Sequence, residues 1–388
     1  MTNSTHEAFI IDAVRTPRGK RNGAFAQTHA IDLAVAPLKA LVERNKLDPN
    51  LIGEVIYGCV SQRGEQDNVI AREAVLGAGL PLEVAGYTVN RFCGSGLTAV
   101  NAAAHAVMSG QEDLMIAGGV EHMTRVPMAI DFDVGESSFG RRFPDLVPQG
   151  ISAEMIAERY GFTRRQLDEF AAESQTRAAR AWEEKRFAKG VIPVPVRTAD
   201  GGTAVVDKDE HLRPGTTADK LAALKPVFKT DGVIHAGNSS GIVDGAGAVL
   251  IASRKGLEKT GLKPRGRIIA TAQIGDDPVI MLLAPIPVTR KICAKANIPL
   301  KKIDLYEVNE AFAPVPLAWL HDLKNEGADW NKLNVNGGAI ALGHPIGATG
   351  AMLVGTILDE LERTDKKYGL VTLCTGHGMA PAAIIERL

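Results

Sequence analysis

Two cysteines, a histidine and an asparagine lie on short turns of a kind that can position side chains for covalent chemistry. Cys93 lies in the turn Cys93-Gly94-Ser95-Gly96, directly before an Ala-rich stretch without proline that predicts a helix as far as Met108. The amides and dipole at a helix start favour negative charge, and the thiolate is the nucleophilic form of cysteine. Many cysteines only pack in the core, but this position is suited to a nucleophile.

Three further motifs contain groups that such a nucleophile needs. Asn309 and Glu310 follow an apolar stretch, His344 lies in the glycine-rich sequence LGHPIGATG, and Cys374 ends a predicted strand. An imidazole can take the proton of a thiol, an amide can hold a water or donate to an oxyanion, and a second thiol can exchange a proton. Each motif alone has a structural explanation, but together they predict a catalytic site.

The turn at Cys93 also fits a competing pattern. The range Gly94 to Ala99 matches Gly-x-Gly-x-x-Ala, the dinucleotide-binding fingerprint, and Asp113 lies near the spacing expected for a ribose ligand. That acid should end the second strand, whereas Asp113 precedes the apolar stretch Leu114 to Ala117. The pattern also lies far from the first predicted strand, which argues against a nicotinamide-dependent enzyme.

The elements that must position these groups occur twice along the chain. The segments Lys39 to Val60 and Arg290 to Ala311 both read as a helix, a proline-bearing turn and an apolar strand. A glycine turn, a helix and a strand follow Val89 and have a counterpart after Val335. The repetition predicts an α/β protein with two duplicated halves.

The sequence between the two halves breaks the repeat. It contains charged helical stretches and a polar loop at 200–217, as expected of an insertion that forms a substrate site or one that only decorates the surface. We predict the first part of the N-terminal half at 1–120, an inserted domain at 121–235, a return strand of the N-terminal half at 236–262, and the C-terminal half at 263–388.

Composition limits the partners and the compartment. The 388 residues are 45% hydrophobic and carry a formal net charge of −1, so no bulk attraction to nucleic acid or to an anionic membrane is expected. No apolar stretch approaches the roughly 20 residues that a membrane span needs. The four cysteines lack C-x-x-C spacing and the first residues do not read as a secretory leader, which predicts reduced thiols and a cytoplasmic location.

The motifs NRFCGSG, VNEAFA, NGGAIALGHPIGATG and CTGHG occur in an order and spacing that resemble the thiolase family of acyl-CoA acetyltransferases over essentially the whole chain. The resemblance implies a five-layered α/β/α/β/α fold of two duplicated halves, with an inserted loop domain that binds coenzyme A. It also implies coenzyme A and acyl-CoA as substrates, no metal or redox cofactor, and a homodimer or homotetramer.

The resemblance also implies roles for the site residues. Cys93 would accept the acyl group, His344 would be its base and an oxyanion donor, and Asn309 would hold the water of that oxyanion hole. Cys374 would exchange the proton on the acetyl carbon. The backbone amides of Cys93 and Gly376 would form a second hole for the thioester oxygen.

A second set of residues is implied to surround these groups. The contacts to coenzyme A and the acyl group would be Arg213, Lys220, Phe228, Ser240 and Phe312, with Glu310 and His377 as supporting residues. The loop Asp131 to Pro148 is expected to shape the acyl tunnel, but its composition does not fix the width of that tunnel.

Two departures from the family pattern bear on the substrate. Gln149 lies in a Pro-Gln-Gly sequence where acetoacetyl-CoA-forming relatives carry His-Met-Gly, which favours a longer or bulkier acyl group. His377 replaces a small residue and is hypothesised to shift the pKa of Cys374 or to narrow the pocket.

The reading favoured by the sequence is thiolytic cleavage of 3-ketoacyl-CoA through an acyl-enzyme on Cys93, in fatty-acid or related catabolism. An acetyl-CoA C-acetyltransferase that forms acetoacetyl-CoA is the nearest alternative. A thiolase-like acyl-CoA carrier without turnover is the second.

Overall fold

The computed structural model describes residues 7–128, 135–198 and 200–388. Residues 131–134, the first part of the loop expected to shape the acyl tunnel, therefore lie outside the described residues.

The secondary structure alternates between strands and helices in both halves. The strands are β1 Ala8–Arg15, β2 Gly19–Lys20, β3 Glu54–Gly58, β4 Ala85–Val89, β5 Leu114–His122, β6 Val194–Arg197, β7 Thr203–Val206, β8 Val243–Ala252, β9 Gly266–Gly275, β10 Leu305–Val308, β11 Tyr368–Thr372 and β12 Met379–Arg387. The helices are α1 Ala30–Asn45, α2 Ile70–Gly77, α3 Ser95–Met108, α4 Ser138–Arg142, α5 Gln149–Tyr160, α6 Arg164–Glu183, α7 Ala218–Ala222, α8 Arg254–Thr260, α9 Pro285–Ala296, α10 Pro314–Leu323, α11 Ala339–Leu342 and α12 Thr349–Arg363.

One sheet runs through both halves in the order β10-β11-β12-β9-β1-β8-β5-β3-β4, and β2 pairs with β8. In the N-terminal half, β5 is parallel to β3 and antiparallel to β8, which is antiparallel to β1. In the C-terminal half, β11 is parallel to β10 and antiparallel to β12, which is antiparallel to β9. The halves therefore repeat one strand pattern, and they join where β1 pairs with β9 over Ala8, Phe9 and Ile10.

Helices form three layers around the two half-sheets. Helices α3 and α12 pack against each other and share one core with strands of both halves, in which Val100 and Val354 are fully buried. Helices α1 and α2 cover the outer face of the N-terminal half, and α9 and α10 cover that of the C-terminal half. This arrangement confirms the predicted α/β/α/β/α order.

The duplication extends to the connections. Helix α1 is followed by Lys46 with φ 49°, and its counterpart α9 is followed by Asn297 with φ 52°. A left-handed residue after the last helical turn lets the backbone amides satisfy the free carbonyls of that turn. Each helix then leads through a short 3-10 turn into the parallel strand β3 or β10.

The insertion lies between β5 and β8 and contains α4 to α7 with a small hairpin of β6 and β7. Strand β5 continues to His122, two residues beyond the 120 at which the predicted first part ends. The reading of 200–217 as a polar loop was wrong for Thr203–Val206, because this strand is too short to show a pattern and buries only Val206. No helix within the described ranges is long and apolar enough to cross a membrane.

Asp113 has a structural role at the start of β5. Its carboxylate pairs with Lys255 at 3.1 Å and Lys259 at 2.6 Å, and it accepts a hydrogen bond from Ser253. These partners belong to the turn after β8 and to α8, so the acid fastens neighbouring elements together. Asp113 precedes β5, as the sequence predicts.

Candidate active site

Cys93 lies in a sharp turn between β4 and α3. Phe92 has a left-handed backbone with φ 46°, and Gly94 is the residue before the helix. A Cβ on Gly96 would lie 2.8 Å from the carbonyl oxygen of Gly347, so only glycine lets α3 pack against the loop that follows His344. This close packing brings the N-terminal and C-terminal motifs together.

Burial controls the protonation of the nucleophile. Cys93 is 5% exposed, and burial raises the pKa of its thiol to about 12, with a further increase from the nearby Glu121 carboxylate. A hydrogen bond with Gln149 and the amide of Cys93 itself act in the opposite direction. The help expected from the helix start is therefore outweighed by desolvation, and Cys93 rests as a neutral thiol that needs a base.

His344 is positioned to be that base. Its Nδ1 lies 2.6 Å from Oγ1 of Thr349, and the Thr349 hydroxyl donates to the carbonyl of Pro345 at 2.9 Å. Because the hydroxyl has one hydrogen, it accepts from Nδ1–H, which leaves the lone pair on Nε2. Burial, assisted by the Arg18 guanidinium, lowers the pKa of His344 to about 3, so the imidazole is neutral at neutral pH.

Asn309 lies directly after β10 and contacts the same imidazole. Its Nδ2 lies 3.3 Å from Nε2 of His344, and its backbone amide donates to the carbonyl of Thr372 at 3.1 Å. Its buried Oδ1 has no hydrogen-bond partner within the described residues. Buried polar atoms are nearly always paired, so this oxygen is suited to accept a hydrogen bond from a water or a bound molecule.

The second thiol follows β11. Cys374 is fully buried, and burial raises its pKa well above the ordinary value, with an additional increase from Cys93. Cys374 therefore lies within the range of an electrostatic interaction with Cys93. Gly376 lies in the next turn, where a Cβ would be 3.4 Å from the ring of Phe92, so its backbone faces the turn that carries the nucleophile.

One cavity of about 160 Å³ contains the nucleophile and the base. It is lined by Cys93 and His344, and by three of the residues implied to contact substrate, Phe228, Ser240 and Phe312. The rings of Phe228 and Phe312 meet edge to face with their centroids 5.8 Å apart. The N-terminal half, the C-terminal half and the insertion therefore all contribute residues to this cavity.

Comparison with known proteins identifies the family. Residues 8–255 match the model of the thiolase N-terminal domain, and residues 262–387 match that of the thiolase C-terminal domain. The chain belongs to the thiolase family. Its similarity to individual members extends over nearly the whole chain.

Two curated thiolases and one solved structure illustrate this similarity. A beta-ketoadipyl-CoA thiolase of Acinetobacter baylyi is 44% identical, with 98% of this chain and 99% of the relative covered. A 3-ketoacyl-CoA thiolase of Idiomarina loihiensis is 43% identical, with the same coverage. The crystal structure of the Bacillus anthracis acetyl-CoA acetyltransferase matches with a TM-score of 0.91 and 37% identity over 100% of both chains.

Two of the residues implied to bind coenzyme A lie outside the cavity of this thiolase. Arg213 and Lys220 are exposed on the insertion. The backbone amide of Arg213 donates to Oε1 of Gln175 at 2.8 Å, and Nζ of Lys220 donates to the carbonyl of Gly215 at 2.7 Å. The structure therefore does not bring these side chains to the reacting groups, although both remain accessible to a long ligand.

His377 packs among aromatic rings of the thiolase site. Its ring meets Phe92 and Phe139 edge to face, with centroid distances of 5.0 and 5.2 Å. Burial lowers the pKa of His377, whereas burial and Cys93 raise that of Cys374. These contacts join His377 to the turn of the nucleophile, but the ring does not line the cavity that contains Cys93, and its effect on Cys374 or on the width of the site stays a prediction.

Glu310 connects the insertion to the loop that leads to His344. Its carboxylate accepts hydrogen bonds from the hydroxyl of Ser174 at 2.6 Å, the amide of Asn334 at 3.0 Å and the backbone N–H of Ile340 at 3.2 Å. Ser174 belongs to α6 of the insertion. Glu310 therefore has a supporting position, in which it holds α6 against the loop that leads to His344.

Glu121 makes a second connection, which sequence analysis missed. Its buried carboxylate accepts backbone hydrogen bonds from Val60 and Ser61 at 3.0 Å and from Gly347 at 2.9 Å, and one from the amide of Gln66 at 3.1 Å. It therefore fastens the loop after His344 to the N-terminal half. The sequence signal for this role was the acidic residue Glu121 at the end of an apolar strand.

Other residues of the site were also missed. Thr349 belongs to the glycine-rich motif, but its contact with His344 depends on the start of α12 at Thr349. Of the further cavity residues, Gln149 belongs to the Pro-Gln-Gly departure described above, and the others are Met123, Met128, Ser239, Gly241, Ile242, Ala311 and Ile346. In the part of the chain that the structure describes, no group of three or more His, Cys, Asp or Glu residues is arranged to hold a metal ion.

Proposed function

We propose that the chain catalyses thiolytic cleavage of 3-ketoacyl-CoA by coenzyme A, forming acetyl-CoA and a shortened acyl-CoA. The observation that carries the proposal is the pairing in one cavity of the Cys93 thiol with a neutral His344 imidazole whose Nδ1–H is held by Thr349. A neutral imidazole with its lone pair on Nε2 is the form that can take a proton from a thiol.

The first step forms the acyl-enzyme. As Nε2 of His344 takes the Cys93 proton, Sγ attacks the 3-keto carbon, and the oxyanion is stabilised by the protonated His344 and by a water on Asn309. The bond between carbons 2 and 3 then breaks, and the enolate of acetyl-CoA takes a proton from Cys374. The raised pKa of Cys374 suits this role, because the thiol keeps its proton until the strongly basic enolate forms.

The second step releases the acyl group. The Cys374 thiolate takes the proton of an incoming coenzyme A thiol, whose sulfur attacks the thioester on Cys93. The backbone amides of Cys93 and Gly376 donate to the thioester oxygen during this attack. Cys93 leaves as a thiolate and recovers its proton from His344, so the enzyme returns to its starting state.

The substrate extends from the cavity across the insertion. Phe228, Ser240 and Phe312 contact the part of the thioester nearest the acyl carbon, because they line the cavity. Arg213 and Lys220 attract the phosphates of coenzyme A from the exposed loop, where cationic side chains stay accessible. No resident metal or redox cofactor enters the mechanism.

The cavity favours an uncharged acyl group, and the Pro-Gln-Gly sequence at Gln149 favours one that is longer or bulkier than that of acetoacetyl-CoA. Among its described lining residues there is no lysine or arginine to pair with a carboxylate. The reaction would serve fatty-acid β-oxidation or a related catabolic route. The chain resembles the structure of an acetyl-CoA acetyltransferase, so the condensing reaction is the second candidate.

The assembly and compartment complete the proposal. Strand β4 ends the sheet, and exposed apolar side chains near it include Leu82 at 74% and Tyr87 at 38% exposure. An unpaired sheet edge with apolar neighbours favours association, so we place a homo-oligomer contact there. All four cysteines are free, and a thiol-dependent reaction needs the reduced state that the cytoplasm maintains.

Cleavage assays with 3-ketoacyl-CoA of four to sixteen carbons and with 3-oxoadipyl-CoA test the proposal. We expect coenzyme A-dependent loss of the 3-keto thioester, with uncharged acyl groups cleaved faster than 3-oxoadipyl-CoA. Cys93→Ala should abolish cleavage and retain acyl-CoA binding, whereas Cys293→Ala, the same change outside the cavity, should retain both. Appreciable cleavage by Cys93→Ala would refute the mechanism, and activity confined to acetoacetyl-CoA would favour the acetyltransferase.

A further inference from the structure

Gln149 reaches the nucleophile from the insertion. Its side chain and the thiol of Cys93 line the same cavity, and the amide lies close enough to the thiol to lower the pKa of Cys93. The Nε2 atom of Gln149 also lies 3.6 Å from the place a Cβ would occupy on Gly376. The amide of Gln149 therefore lies where the turn of Cys93 meets the turn after Cys374.

Contacts on both sides fix the helix that begins with Gln149. In α5, the hydroxyl of Ser152 donates to the carbonyl of Ile280 at 2.6 Å. The carboxylate of Glu154 accepts the backbone N–H groups of Val233 and Ile234, each at 2.9 Å. These contacts hold α5 independently of Cys93, so the amide is positioned before any substrate binds.

When Cys93 is ionised, Gln149 can only be the donor of a hydrogen bond between the two side chains. A thiolate accepts hydrogen bonds, and a glutamine amide offers two N–H donors. Burial opposes the charged form of Cys93, and the hydrogen bond with Gln149 is a force that favours it. A thioether or hydrocarbon side chain at this position would fill the space without offering a donor.

We propose that Gln149 is a catalytic residue whose amide N–H donates to Sγ of Cys93 and stabilises the thiolate. The thiolate forms when His344 takes the thiol proton, and it forms again when Cys93 leaves the acyl group, so the same hydrogen bond acts in both half-reactions. The inference rests on the proposed role of Cys93 as the nucleophile.

Alkylation of Cys93 by iodoacetamide, followed by peptide mass spectrometry between pH 6 and pH 10, tests the proposal in the full chain. Gln149→Met keeps the side-chain length and removes the donor, and Gln149→Glu keeps the size and adds a negative charge. A hydrogen bond to a charged group corresponds to about one to two pKa units. We therefore expect alkylation at pH 8 to slow about tenfold or more with Met, and further with Glu.

The cleavage reaction provides the second readout. In Gln149→Met, kcat should fall together with the alkylation rate while KM changes little, because the lost hydrogen bond acts on the thiolate and not on substrate binding. Gln273→Met is the matched control, since Gln273 is exposed on β9 and does not line the cavity. Both of its rates should equal those of the unsubstituted chain.

The outcomes separate this inference from the proposed function. Unchanged alkylation of Cys93 in folded Gln149→Met and Gln149→Glu overturns the role of Gln149, whatever happens to cleavage. If the methionine variant fails to fold, the glutamate variant of equal size decides the question. Alkylation measures the reactivity of the Cys93 thiol without any substrate, so it tests Gln149 independently of cleavage. Cleavage by Cys93→Ala would instead refute the proposed function.

Discussion

The Thr349 hydroxyl accepts the Nδ1–H of His344 at 2.6 Å, and this contact places the proton of the imidazole on Nδ1 and the lone pair on Nε2. The hydroxyl itself is oriented by its hydrogen bond to Pro345. A residue on the first turn of α12 therefore sets the protonation pattern of the proposed base without lining the cavity.

Thr349→Val should lower kcat of thiolytic cleavage by about tenfold to a hundredfold, because loss of the acceptor leaves a buried N–H unpaired and no longer fixes the tautomer. Thr349→Ser retains the hydroxyl and should keep most of the activity. Steady-state kinetics of the two variants test this relationship. Equal activity of both variants would show that the tautomer is fixed by other groups.

Cys374→Ala should separate the two proposed proton transfers. Cleavage should slow by about 10²–10⁴-fold, the usual contribution of general acid–base catalysis, while acetyl-CoA still acylates Cys93. Deuterium exchange at the acetyl methyl group of acetyl-CoA reports on Cys374, and the mass gain on Cys93 reports on the nucleophile. Undiminished exchange in the variant would assign the proton transfer to another group.

The pH dependence of stability should include a contribution from His211. Burial, together with the nearby Arg213 and Arg18 guanidinium groups, lowers the pKa of His211 to about 4 in the folded chain. The unfolded chain binds this proton near pH 6.5, so the contribution is complete above pH 6.5 and is lost as the pH falls toward 4. The limiting slope is about 1.4 kcal/mol per pH unit for one such proton.

His211→Gln should therefore show a smaller loss of unfolding free energy between pH 6.5 and pH 4 than the unsubstituted chain. Urea unfolding at several pH values measures it. The unsubstituted chain, unfolded under the same conditions, is the control. A slope for His211→Gln equal to that of the control would contradict the lowered pKa.

The exposed edge at β4 should determine the assembly. Leu82→Lys combined with Tyr87→Lys places two charges beside that edge, and like charges brought together by a symmetric contact oppose association. We expect light scattering to show a shift toward the monomer. Val205→Lys, at a residue of β7 that is 64% exposed, should leave the mass unchanged. An unchanged mass in the double variant would place the contact elsewhere.

Much of the fold was predictable because the duplicated helix, turn and strand units each carry their own local signals. The positions of Cys93, His344, Asn309 and Cys374 at strand ends and helix starts followed from such signals. The hairpin of β6 and β7 did not, because four-residue strands show no pattern that separates them from a loop.

The electrostatics of the site were not readable from the sequence. The helix start at Cys93 indicated an easily ionised thiol, but tertiary burial raises its pKa to about 12. The contacts of Gln149 with Cys93 and of Glu121 with Gly347 join segments far apart in the chain, so neither has a local signal. Only the packing of the insertion and the two halves reveals them.

The strand pairing between β1 and β9 and the shared layer of α3 and α12 also determine how the protein can lose activity. The N-terminal half carries the nucleophile, and the C-terminal half carries the base, the amide and the second thiol. Loosening of the boundary between the halves would separate these groups before either half had unfolded. The resistance of the activity to heat is therefore expected to depend on how firmly this boundary holds the two halves together.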